Sequence, residues 1–197
     1  MIAGHFGLAA GVKAKAPRLP LWALMLATFW LDVIFIILFP FGIESLTQVD
    51  PAHPAYGGAL IHAYYTHSLV GALLIAAVTG WLASYPWGQD GGLVIGAVVF
   101  SHWILDLIVH RPDLPILPGN AGNLPLLGFG LWEFPVASAI VELALVLTGA
   151  YLYYQRAAAL PVPPKANPSD QRRRVLTTSL VTTVLLLLLL LSDVLGL

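Results

Sequence analysis

The residues able to do chemistry in this 197-residue chain lie inside its most apolar stretches. One stretch ends SHWILDLIVH, with His102, Asp106 and His110 four residues apart. On an α-helix each step of four drifts by only about 40°, so the three side chains form one stripe. An imidazole and a carboxylate at i and i+4 can reach one cation together, or can hydrogen-bond each other and tie two helices. A second stretch opens LIHAYYTHS. His62 and His67 are five apart there, about 140° around an ideal helix. One is expected to be a ligand and the other to sit at the mouth of the site or behind the ligands; a lone histidine here also serves as a packing hydrogen bonder. Asp32, in FWLDVIF, is the only charge among large apolar neighbours. A carboxylate without a partner would be protonated or strongly destabilising there. No Lys or Arg lies inside any long apolar stretch, so the counter-charges on offer are histidines or a bound metal ion.

Composition constrains the elements that must carry these groups. Charged residues are 10% of the chain and hydrophobic ones 58%. Soluble domains carry about 25% charged residues, so a soluble fold is excluded, and the apolar excess excludes disorder. Nine Lys and Arg against ten Asp and Glu give no general attraction for phosphate backbones, which argues against a nucleic-acid partner. The absence of cysteine removes disulfides, thiolate zinc sites and cysteine nucleophiles. An integral membrane protein with the lipid bilayer as its partner remains. Five apolar stretches, 20–42, 60–87, 92–110, 131–154 and 175–195, meet the roughly 20 helical residues needed to cross a hydrocarbon core. They are continuous rather than alternating, which points to helices and not to barrel strands.

The expected fold is therefore all-α: a polytopic membrane helix bundle of about five transmembrane helices forming one domain over 1–197. Residues 1–12 are apolar but too short to span, and Lys13, Lys15 and Arg18 follow them instead of preceding them. That order argues against a signal peptide and for a short, half-inserted N-terminal helix. Residues 1–155 are expected to form the core and 156–174 a basic, Pro-containing linker. Residues 175–197, with seven consecutive leucines, are expected to form a peripheral, lipid-facing helix.

Eight of the nine Lys and Arg fall before the first stretch or between the fourth and fifth; only Arg111 falls on the other side. Positive loops stay cytoplasmic, so 43–59, 111–130 and the C-terminus are expected outside, and linker 156–174 inside. Trp22, Trp87 and Trp132 fall near the ends of stretches, as interfacial anchors do. At a rise of about 1.5 Å per residue, His67, His102, Asp106, Asp32 and His5 all reach one zone between the bilayer centre and the outer leaflet. Three imidazoles and two carboxylates suit Zn²⁺ first, then Mn²⁺ or Fe²⁺; Mg²⁺ is disfavoured by the histidines. Glu133 lies near the outer end of the fourth stretch, as an interfacial glutamate or as a base or gate. Glu142 lies deeper, beside the cavity or against a histidine. Asp50, His53, Asp90 and Asp113 read as solvated loop residues, and 112–125 as a lid or an ordinary long loop.

These motifs resemble the LexA-regulated, membrane-bound metal-dependent hydrolase family, the group of YdjM-like inner-membrane proteins. The residues carrying the likeness are His5 in AGHFG, Asp32 in WLDV, His62, Thr66, His67 and Ser68 in HAYYTHS, and Ser101, His102 and Asp106 in SHWILD. A Trp–Pro element, Trp132 to Pro135, follows the outer loop. The likeness covers roughly 1–155. Where family members often carry Pro-Asp-x-Asp, this chain has Phe-Trp-Leu-Asp, one carboxylate in place of two, which weighs against a two-metal site.

The resemblance implies a bacterial inner-membrane hydrolase that uses a divalent metal. His5, Asp32, His67, His102 and Asp106 would hold the ion, and His62, His110 or Glu133 would act as general base or acid. An amphiphilic ester or phosphoester, such as a phospholipid at the outer leaflet, suits a cavity opening on that side. The alternative is a metal-binding or structural accessory subunit of a membrane complex, without turnover. A transporter is disfavoured by the lack of an inverted repeat.

Overall fold

The computed structural model describes residues 1–49, 58–161 and 167–195. Asp50 and His53 lie outside these residues. Six helices and one small hairpin follow in order: α1 (Ile2–Lys15), α2 (Leu21–Thr28), α3 (Trp30–Leu38), β1 (Ser45–Gln48), β2 (Ala59–His62), α4 (Leu69–Val109), α5 (Pro135–Ala158) and α6 (Pro168–Leu195). The fold is mostly helical, but the antiparallel β1–β2 pair, with Ser45 opposite His62, departs from the all-α expectation.

Three helices, α4, α5 and α6, are long and apolar enough to cross a membrane. The pair α2–α3, bent by 52°, makes a fourth if it is taken as one span. This is fewer than the five stretches expected, because α4 contains two of them. Its 41 residues are interrupted at Gly88, where φ is 73° and ψ 172°. A Cβ on Gly80 would stand 2.8 Å from the Gly92 carbonyl oxygen and 3.2 Å from Gly96 Cα. Residues 80 and 96 would be about 24 Å apart along a straight helix, so α4 folds back on itself as two antiparallel arms.

The start of the expected second helix also moves. Residues 60–62 belong to β2, and helix α4 begins only at Leu69, where Ser68 caps it by accepting the Gly71 N–H at 3.1 Å. Segment 112–125 straps this end. The Pro115 and Ile116 carbonyls accept the Leu69 and Val70 N–H groups at 2.9 and 3.1 Å, satisfying donors that every helix N-terminus leaves open. None of its residues lines the histidine cavity described below, so it clamps α4 and is not the cavity's lid.

Helix α1 is the centre of the bundle. Ala3, Gly4, His5, Gly7, Ala9 and Ala10 are all buried. Small residues let it approach α5 closely: a Cβ on Gly7 would be 2.8 Å from the Leu145 carbonyl, and one on Gly149 would run into the Gly7 carbonyl. Gly11 faces Gly149 and Leu152, so α1 and α5 run in the same direction. The open N–H groups of α1 are met by two carboxylates. Asp193 of α6 accepts from Ile2 at 2.9 Å, and Glu142 of α5 accepts from Gly4 at 2.9 Å. Glu142 therefore serves a helix terminus, where negative charge is stabilising. Leu186 and Leu190 of α6 pack on Ala3 and Val146, so this helix is tied to the core despite its largely exposed surface. It starts at Pro168, which places Arg172, Arg173 and Arg174 on the helix and not in a linker.

Candidate metal centre

The bend between α2 and α3 creates the first part of the site. At Phe29 the chain leaves helical geometry (φ −106°, ψ 8°). The Thr28 carbonyl turns instead to His102 Nδ1, 2.6 Å away. A carbonyl only accepts, so His102 Nδ1 carries the proton, and in the neutral ring Nε2 is bare. His67 is fixed in the same sense. Its Nδ1 lies 2.8 Å from Thr66 Oγ1, whose own hydrogen goes to the buried Glu44 carboxylate at 2.8 Å. Thr66 must then accept from His67 Nδ1–H, which leaves His67 Nε2 bare as well. His110 repeats the arrangement, donating Nδ1–H to Asp113 at 2.9 Å. Three imidazoles thus turn lone pairs toward Asp32 and Asp106.

The distances bring two imidazoles close to both carboxylates. His67 Nε2 and His102 Nε2 are 3.3 Å apart. Asp32 Oδ1 is 3.4 Å from the first and 3.5 Å from the second. Asp106 Oδ2 is 3.5 Å from His67 Nε2 and 2.9 Å from His102 Nε2. Four ligand atoms around one tetrahedral ion, with bonds of about 2.0–2.1 Å, stand about 3.3 Å from one another. The donor set, two imidazoles and two carboxylates, could hold a divalent metal ion. Elements far apart in sequence supply it: α3, the turn before α4, and the second arm of α4.

His5 plays a related part from α1. Its ring stacks on His102 with centroids 3.9 Å apart, and its Nε2 lies 3.1 Å from Asp106 Oδ1, the carboxylate's other oxygen. The trios His5–His102–Asp106 and Asp32–His67–His102 each bring their ligand atoms within 4.8 Å of one another. His5, His67, His102, Asp106 and His110 are buried. Asp32, with 27% of its side chain exposed, is the open edge of a cavity of about 220 Å³ shared by these residues and closed by Phe35, Ile61 and Trp132.

Comparison with models of known families, with curated proteins and with solved structures finds no match to this chain.

Two residues expected at the site are elsewhere. His62 sits on β2, where it pairs with Thr47 Oγ1 at 3.0 Å and the Tyr64 hydroxyl at 3.2 Å, and it does not line the cavity. Glu133 is exposed and also lies off the cavity. Two others were not expected. Asp113 is buried against His110, although it reads as a solvated loop residue. Glu44 is buried, accepts the N–H groups of Tyr65 and Thr66 at 3.0 and 2.8 Å, and fixes the turn that presents His67. The only signal for it in the sequence is an acid beside the long apolar first stretch.

Proposed function

We propose that this protein is a membrane-embedded, metal-dependent hydrolase of an ester or phosphoester, with Asp32, His67, His102 and Asp106 as the metal ligands. The observation that carries the reading is the set of five ligand-to-ligand distances between 2.9 and 3.5 Å. A divalent cation supplies Lewis acidity at such a centre and acidifies water toward neutrality. His102 and His67 hold their lone pairs in place through Thr28 and Thr66. His5 orients Asp106 by its second oxygen. His110, held by Asp113, keeps Nε2 free to accept a proton 4.0 Å from Asp106 Oδ2. Asp32, on the open edge, is the ligand a substrate would approach. The likeness of these motifs to YdjM-like inner-membrane hydrolases supports the same assignment.

The bundle is proposed to cross the membrane five times, each arm of α4 counting once. Lys15, at the far end of α1 from His5, shares its end of the bundle with Arg156, because α1 and α5 run in parallel; this supports a cytoplasmic basic end and a site toward the outer leaflet. The second reading is a structural metal site in an accessory subunit. Four protein ligands on one ion favour it, since catalytic zinc sites keep a position open.

Elemental analysis of detergent-purified protein tests the centre. Near-stoichiometric zinc, lost in His102→Ala and Asp106→Ala, supports it. A metal-free protein would leave His102 and Asp106 as a hydrogen-bonded pair, 2.9 Å apart, and the hydrolase reading would fall. Turnover of a model ester or phosphoester by the metal-loaded chain separates hydrolase from structural subunit.

A further inference from the structure

We infer that the opposite, basic end of the bundle holds an anionic glycerophospholipid in a two-part site. A cavity of about 600 Å³ opens at the turn between α1 and α2, bordered by Lys15, Arg18 and Leu19 on one side and by Trp87, Asp90 and Val94 on the other. Beside it, a hollow of about 260 Å³ runs between α2 and the first arm of α4, walled by Trp22, Leu26 and Trp30 and by Thr79, Leu82 and Pro86. Trp87 borders both spaces, so the basic cavity and the apolar groove adjoin at that ring. Neither shares a residue with the histidine centre.

Charge and shape together select the occupant. Lys13 is already engaged, donating to the Pro17 and Leu19 carbonyls at 2.8 and 2.6 Å, and so pins the turn. Lys15 and Arg18 are exposed and make no hydrogen bond or ion pair among the described residues. With Asp90 as the one acid on the lining, the cavity keeps a net charge of one positive unit. Ammonium and guanidinium groups bind phosphate oxygens well. The groove follows α2 from Trp22 and passes the bend to Trp30, a path of at most about 12 Å against the ~15 Å depth of one leaflet. A free phosphate has no use for it, whereas an acyl chain fills it. Trp22 and Trp87 meet edge to face, 6.0 Å apart, at the junction where headgroup and chain would part. This site stands independently of the hydrolase proposal.

The test is titration of the detergent-purified full chain with short-chain phosphatidylglycerol carrying brominated acyl chains, read as quenching of tryptophan fluorescence. Saturable, one-to-one quenching is expected. The double variant Lys15→Gln/Arg18→Gln should weaken binding about 30-fold, from about a factor of five per charge near anionic lipid. Thr79→Phe, which narrows the groove and leaves both cations, should also weaken it, while far-UV circular dichroism stays unchanged. A loss below about fivefold in the double variant would overturn the proposal. So would equal binding of phosphatidylcholine, or displacement by inorganic phosphate at the lipid's own concentration.

Discussion

The relay behind His67 offers the sharpest test of the site. Thr66→Val keeps the shape of the side chain and removes its hydroxyl. That hydroxyl lies 2.8 Å from His67 Nδ1 and 2.8 and 3.0 Å from the two Glu44 oxygens. Two losses follow. Glu44 Oε2 gives up the hydroxyl hydrogen, while Oε1 keeps the Tyr65 and Thr66 N–H groups, so the cost to folding should lie low in the usual range of about 1–3 kcal/mol. His67 also loses the acceptor that fixes its tautomer. Removing such an outer-shell partner typically lowers metal affinity by roughly 10–100-fold, or about 1.4–2.7 kcal/mol. Competition for Zn²⁺ against a chromophoric chelator, with thermal unfolding in the same detergent, separates the two. Thr66→Ser keeps the hydroxyl and should restore binding. If folded Thr66→Val binds zinc as tightly as the parent, or if Thr66→Ser is as weak as Thr66→Val, the tautomer argument is refuted.

Other perturbations follow from the same geometry. Asp106→Asn should abolish bound metal by elemental analysis, because both its oxygens face imidazoles, whereas Asp32→Asn, at the open edge, should only weaken binding. His62→Gln and Glu133→Gln should leave metal content unchanged, since neither side chain lines the cavity. Gly7→Val places a side chain against the Leu145 backbone, and overpacking of roughly 1–3 kcal/mol should lower the unfolding temperature in detergent.

What the sequence made legible was local periodicity. The spacing of four on the second arm of α4 puts His102, Asp106 and His110 on one stripe, and the isolation of Asp32 demands a partner; both readings lead to the observed cluster. Hydropathy alone hid the breaks. The run 60–87 is apolar throughout, yet its first residues pair as a strand, because Ser68 caps the helix and Glu44 holds the preceding turn. The bend at Phe29 was equally invisible, since its Thr28 carbonyl is drawn off by His102, 74 residues away. Asp113 read as a solvated loop acid and Glu44 drew no reading, because nothing local reveals that a loop folds inward. The last helix, expected to be peripheral and lipid-facing, is largely exposed, yet its Asp193 meets a partner at the other end of the sequence.

That last contact has a consequence for assembly. Helix α1 is made before the groups that seat it, because Glu142 and Asp193 lie much later in the chain. At about 5–20 residues per second the wait for Asp193 is roughly 10–40 s. During that interval the short helix lacks its anchors, and the histidine centre lacks one wall. Seating of His5 is thus coupled to insertion of α6, so the histidine cluster closes only after that helix is in place.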